Sequence, residues 1–193
     1  MKRKLVLVRH SLPAITPDIP APQWPLSEEG RQRCTPLAAK LAAWQPGVVV
    51  TSSEPKAIET GRIVAGLLAL PCETAAGLHE HERTRATFTT PERFRAGMAA
   101  FFQQPDKLAF GDETANRAHH RFHQAVTASL AKHPRDNVAI VAHGTVMALF
   151  VARAAGIDPF SFWQRLGLPA FVVLALPQHT QHVVHHDVDD GGK

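Results

Sequence analysis

Three short runs of unbroken apolar residues stand out along the chain: Leu5-Val6-Leu7-Val8, Val48-Val49-Val50 and Val138-Ala139-Ile140-Val141-Ala142. They lack the alternation of a half-solvated strand, so each is expected to be a parallel strand covered on both faces. Between them the apolar residues recur at helical spacing. A first helix is expected from about Ser27, an N-cap followed by Glu28 and Glu29, with Cys34, Leu37, Ala38 and Leu41 on its inner stripe. A second begins near Pro55, a favoured first-turn residue, and runs through Ile58, Ile63, Val64 and Leu67 to Leu70-Pro71. Phe94, Met98, Phe101 and Phe102 mark a third, Ala118 to Ser129 a fourth and Thr145 to Ala155 a fifth, while Phe171 to Leu176 reads as another strand. Strands alternating with helices predict an α/β fold, a mostly parallel open sheet with helices on both faces.

Two stretches break the pattern. Leu12 to Pro25 holds five of the fifteen prolines and is expected to be an ordered irregular loop at the end of the first strand. Residues 76–113 contain no strong strand and are expected to form a modest insertion lying over a site, within a single domain spanning 1–193. The tail from His179 carries His182, His185 and His186 beside Asp187, Asp189 and Asp190. Metal binding and a short edge strand both fit it, and a polar terminus is the preferred expectation.

With 193 residues, 45% hydrophobic and 20% charged, the composition is that of a globular chain and argues against disorder or a coiled coil. Lys and Arg exceed Asp and Glu by 21 to 17, but they are scattered, without the basic runs or aromatic interleaving of a nucleic-acid surface. Cys34, in an expected helix, and Cys72, in an expected strand, lack CxxC spacing, so neither a disulfide nor a zinc motif is expected. The basic N-terminus leads into an apolar run too short for a signal peptide, and no membrane-spanning stretch follows, so the expected location is cytoplasmic.

Ligands of open parallel sheets bind outside the carboxyl ends of the strands. Those ends carry Arg9-His10-Ser11, Thr51-Ser52-Ser53 and His143-Gly144-Thr145, bringing two histidines and an arginine to one edge. Two helices are expected to start there, near Pro55 and Thr145, with N–H groups that favour an anion such as phosphate or carboxylate. Arginine offers bidentate donors, and a neutral imidazole is a nucleophile able to attack phosphorus.

The motifs at these ends resemble those of the histidine phosphatase superfamily, also called phosphoglycerate-mutase-like. Arg9-His10-Ser11 is similar to its Arg-His-Gly, Leu26-Ser27-Glu28-Glu29-Gly30 to its Leu-Thr/Ser-x-x-Gly, and Val141-Ala142-His143-Gly144 to its second His-Gly. Ser52 to Thr60 resembles Ser-Ser-Pro-x-x-Arg-Ala-x-x-Thr, and Gly111-Asp112-Glu113-Thr114 with Arg121 resembles Gly-Glu-Ser…Arg. The resemblance implies a phosphatase that carries the phosphoryl group on His10, with Arg9 and His143 holding its oxygens. Leu78-His79-Glu80 matches the family's Leu-x-Glu, so Glu80 would protonate the leaving oxygen and then activate water, with Glu82 as rival. Lys56 stands where the family has a second pocket arginine, keeping the charge and losing the fork. Ser11 stands for glycine, and its hydroxyl could donate to substrate. Arg83 or Arg85 could contact a substrate anion. The implied partner is a small phosphate ester, with no cofactor and no metal, because cations alone can neutralise a phosphoryl group. A mutase-type phosphotransferase, a catalytically weakened phosphate-ester binding module and a metal hydrolase using His79, His81 or the tail remain alternatives.

Overall fold

A computed structural model of the chain describes residues 3–83, 90–176 and, for the backbone, 184–187. Its centre is a six-stranded sheet in the order β3-β2-β4-β1-β5-β6. The strands are β1 (Lys4–Arg9), β2 (Pro46–Thr51), β3 (Cys72–Thr74), β4 (Asn137–Ala142), β5 (Ala170–Ala175) and β6 (Val184–Asp187). β3, β2, β4 and β1 run parallel, and β5 and β6 add antiparallel pairings at one side. The apolar runs are unbroken because both faces of the sheet are covered. Val6, Val8, Val49, Ala139 and Val141 pack with Cys34, Leu37 and Leu41 of α1 (Glu28–Ala42) and Ala57 and Val64 of α2 (Pro55–Leu68). Leu5, Leu7, Val48, Val50, Val138 and Ile140 face α3 (Pro91–Gln103), α4 (Ala115–Lys132), α5 (Gly144–Ala155) and α6 (Pro159–Arg165).

Local chemistry sets where the helices start. The Ser27 hydroxyl accepts from Gly30 N at 2.9 Å and donates to Leu12 O at 3.1 Å, which caps α1 and ties it to the loop after β1. That loop runs so close that a Cβ on Gly30 would stand 2.1 Å from Leu12 O, so the position accepts only glycine. Thr114 caps α4 by accepting from Arg117 N. Between Leu12 and Pro25 the chain is irregular apart from a 3-10 turn at Ala21–Gln23.

The polar terminus expected at the tail is in part an edge strand: Val184–Asp187 pairs with β5. His179, His182, Asp189 and Asp190, like Arg85, lie outside the described residues. Among the described residues no helix is long and apolar enough to cross a membrane.

Candidate active site

β1 and β4 are parallel neighbours with Arg9 level with Ala142, so the residues that follow, His10 and His143, leave the sheet side by side. His10 N still donates to Ala142 O at 3.0 Å, and the two imidazole centroids are 5.1 Å apart. His10 Nδ1 lies 2.7 Å from Ser11 O. A carbonyl oxygen can only accept, so Nδ1 carries the proton and Nε2 the lone pair. Burial, the neighbouring His143 and the charges of Arg9 and Lys56 push the His10 pKa well below its ordinary value, against a smaller upward pull from Ser11 O. The ring is neutral at physiological pH, with the Nε2 lone pair available. His143, fully buried, is lowered to about 3, chiefly by burial, although the Glu80 carboxylate favours its charged form. His143 Nε2 meets Ser52 Oγ at 2.8 Å, while Nδ1 has no hydrogen-bond partner among the described residues.

Cations and hydroxyls frame the pair. The Arg9 guanidinium lies against Gly144, where a Cβ would come within 3.0 Å of Nε, and its Nη1 donates to Leu166 O and Gly167 O. Lys56 is buried, donating to Ala21 O at 2.8 Å and to Glu54 Oε2 at 2.5 Å. Ser11 N donates to Thr60 Oγ1, which donates to Lys56 O. The Ser11 hydroxyl itself is buried beside the Cys34 thiol, whose pKa burial raises to about 11 despite the Ser11 and Thr60 hydroxyls. Ser11 thus fixes the site through its backbone, and the side chain expected to reach substrate fills the space under α1.

The Glu80 carboxylate sits over the start of α5. It accepts from Thr145 N at 3.2 Å, Thr145 Oγ1 at 3.1 Å, Val146 N at 3.3 Å and its neighbour His81 N at 2.8 Å. Burial alone would raise its pKa, but the Arg83 guanidinium, then His143 and these N–H groups, hold it at about 2. The helix start expected to receive phosphate is therefore occupied by a carboxylate of the chain. At the start of α2, Glu54 holds the N-cap position without a capping bond, its carboxylate turned to Lys56 and to Glu80 N at 2.8 Å. Sequence reasoning missed Glu54; the only signal was a glutamate standing two residues before the odd lysine.

The segment carrying Glu80 is pinned by Arg121, which donates to Gly77 O, His79 O and Glu80 O and pairs with Glu113 at 2.6 Å. Glu82 is exposed and meets His79 Nε2 at 3.2 Å, away from the histidine pair. The His79-His81 pair is divided between two surroundings: His81 is buried, its ring tilted against Phe101 with centroids 4.0 Å apart, while His79 meets Glu82. Among the described residues no group of three or more His, Cys, Asp or Glu side chains could hold a metal. Arg83 stands over Phe94 at 5.3 Å, its charge reaching Glu80 and His143, with Nη1 buried and unbonded among the described residues. Arg62 is exposed, as its place on the far side of α2 from Lys56 predicts.

Several solved structures share this architecture. Mycobacterial glucosyl-3-phosphoglycerate phosphatase superposes with a TM-score of 0.72 at 20% identity, over 90% of each chain. Phosphoserine phosphatase from Entamoeba histolytica, in complex with 3-phosphoglyceric acid, gives 0.74 at 16%, over 96% of this chain and 95% of that one. Alpha-ribazole phosphatase from Shigella flexneri gives 0.69 at 19%, over 98% and 99%. A search among curated proteins finds no sequence match. The family model for branch 1 of the histidine phosphatase superfamily matches residues 5–189, and the chain belongs to that family.

Proposed function

We propose that the protein hydrolyses a small phosphate monoester through a phosphohistidine on His10, without a metal. The observation that carries this reading is the His10 ring: bonding of Nδ1 to Ser11 O leaves Nε2 with its lone pair, in a buried ring kept neutral, beside His143. Arg9, Lys56 and the unbonded His143 Nδ1 supply positive charge and a donor for the phosphoryl oxygens, which is what this transfer needs. Glu80 serves the leaving side, passing a proton to the departing oxygen and later taking one from water. Arg83, beside Glu80, contacts the alcohol portion of the substrate. In this reading residues 76–113 are the insertion over the site of a single domain.

His10→Ala is expected to abolish turnover of an aryl phosphate while the circular dichroism spectrum is unchanged, and the wild-type enzyme should trap an acid-labile phosphoryl group. Near wild-type turnover by the variant overturns the reading. Chelators should leave the rate unaltered; loss restored by zinc would favour a metal hydrolase.

One observation favours a second reading, a phosphate-ester binding module with weakened turnover: Glu54 and Glu80 already engage Lys56 and the α5 N-terminus. Tight phosphate binding without phosphohistidine formation would select it.

A further inference from the structure

Glu54 is a buried carboxylate among groups that serve an incoming phosphoryl group. Its Oε2 is 2.5 Å from Lys56 Nζ, and its Oε1 accepts from Glu80 N at 2.8 Å and lies 3.5 Å from His143 Nε2. Lys56 therefore comes to the pocket with its charge already matched. The groups facing the site are Arg9 and His10 from β1, Glu54 and Lys56 from the start of α2, His79, Glu80 and Arg83 from the segment after β3, and His143 from the end of β4. α5 brings Thr145, which carries no charge. Both strand-end imidazoles are neutral, so the cations Arg9, Lys56 and Arg83 are set against the carboxylates Glu54 and Glu80. The balance is one positive charge, a poor match for a dianion.

Glu80 adds a second constraint. Held ionised by the N–H groups of α5, it has no proton of its own to give a leaving group at neutral pH.

Resting on the phosphatase reading, we infer that Glu54 makes the monoanion of the phosphate ester the form this site binds and cleaves. The proton accounting then closes. His10 Nε2 forms the N–P bond as the P–O bond to the alcohol breaks, and the P–OH proton passes through Glu80 to the departing oxygen, releasing the neutral alcohol. The positive charge left on the phosphorylated ring is met by Ser11 O at Nδ1. Water then attacks phosphorus, its proton passes through Glu80 to a phosphate oxygen, and the N–P electron pair returns to Nε2, giving dihydrogen phosphate. Once dihydrogen phosphate loses a further proton, the Glu54 carboxylate disfavours the resulting dianion and speeds its release.

The test is calorimetric titration with inorganic phosphate at about pH 5 and about pH 8, on either side of a phosphate second ionisation of roughly 6 to 7. Wild type should bind more tightly at the lower pH. In Glu54→Gln, Oε1 can still accept from Glu80 N while the amide no longer neutralises Lys56. Binding at the higher pH should tighten about tenfold, with less than about a threefold change at the lower pH, because a charge at this range acts on the dianion more than on the monoanion. Glu54→Asp keeps the charge and should keep the wild-type preference, and a His79→Gln background removes the half-buried imidazole whose charge reaches His143. Parallel pH dependence in wild type and Glu54→Gln, or weaker binding by Glu54→Gln at the higher pH, overturns the inference. If Glu54→Gln does not fold, wild-type binding that is as tight at the higher pH overturns it equally. The readout needs no turnover, so phosphate binding with the stated preference but no aryl phosphatase activity would sink the phosphatase reading alone.

Discussion

Lys56 is tethered at both sides of its ammonium, by Glu54 and by Ala21 O, and this fixes what its substitutions do. Lys56→Ala leaves a carboxylate buried without its partner and is expected to cost about 3 kcal/mol or more, read from a urea midpoint. Lys56→Arg must fit a wider fork into the same buried slot, so both stability and turnover should fall; turnover at or above wild type would show that the slot has room. Glu80→Gln should depress turnover of alkyl phosphates about a hundredfold or more and of aryl phosphates much less, since a phenolate departs with little help from a proton. Equal losses would reduce Glu80 to its hold on α5. At this scale the sequence was partly legible. The strand-end histidines could be found because each ends an apolar run, and Glu80 because its motif survives. Glu54 could not, because a glutamate before a helix-starting proline reads as solvated. For Ser11 the sequence carries no sign of which way the side chain turns, and in the structure it turns to Cys34.

α1 and the loop after β1 meet through Gly30, and Gly30→Ala should lower the melting temperature, costing about 2 kcal/mol through overpacking against Leu12 O. The segment bearing Glu80 has no regular structure of its own. Arg121 supplies the order by holding three of its carbonyls while Glu113 holds Glu82 N. With Glu80 in the proposed role of acid, Arg121→Ala should lower kcat about 10- to 100-fold by displacing it, whereas phosphate inhibition, assigned in the same proposal to Arg9 and Lys56, should change little. A parallel loss of phosphate affinity would show that the segment also shapes the phosphoryl pocket. The elements that the sequence exposes are those with a periodic apolar pattern. β3 shows in the sequence only as the strand expected at Cys72, without bounds, because Cys72–Thr74 is three residues long and mostly exposed, and α6 escapes notice because seven residues barely complete two turns. The capping of α5 by Glu80 joins residues 65 apart, beyond any local signal.

Across the whole molecule, buried and half-buried histidines tie the fold to pH. His10, His81, His119 and His143 all titrate below the ordinary 6.5, each first because of burial, with His119 at about 4 and His143 at about 3. A folded state that resists protonation loses ground wherever the unfolded chain takes up the proton, so stability should fall as pH drops below 6.5 and keep falling towards 3 to 4. Glu80, moved from 4.5 to about 2, works in the same direction over the lower part of that window. Melting temperatures measured between neutral and acid pH should decline steadily, and a flat profile down to about pH 4 would mean that these rings reach solvent when folded. The spacing of His10 and His143 has a different consequence. Their centroids stand 5.1 Å apart, close to the ~4.8 Å between neighbouring strands, because each ring follows the last residue of an adjacent parallel strand. The distance between the two imidazoles is thus a property of the sheet, inherited by any chain that keeps the two strands paired. Changes in α3 and the stretch after it, Pro91–Phe110, therefore leave the spacing of the pair untouched, whereas exchange of the segment Leu78–Arg83 would take Glu80 with it and remove the proton relay proposed above.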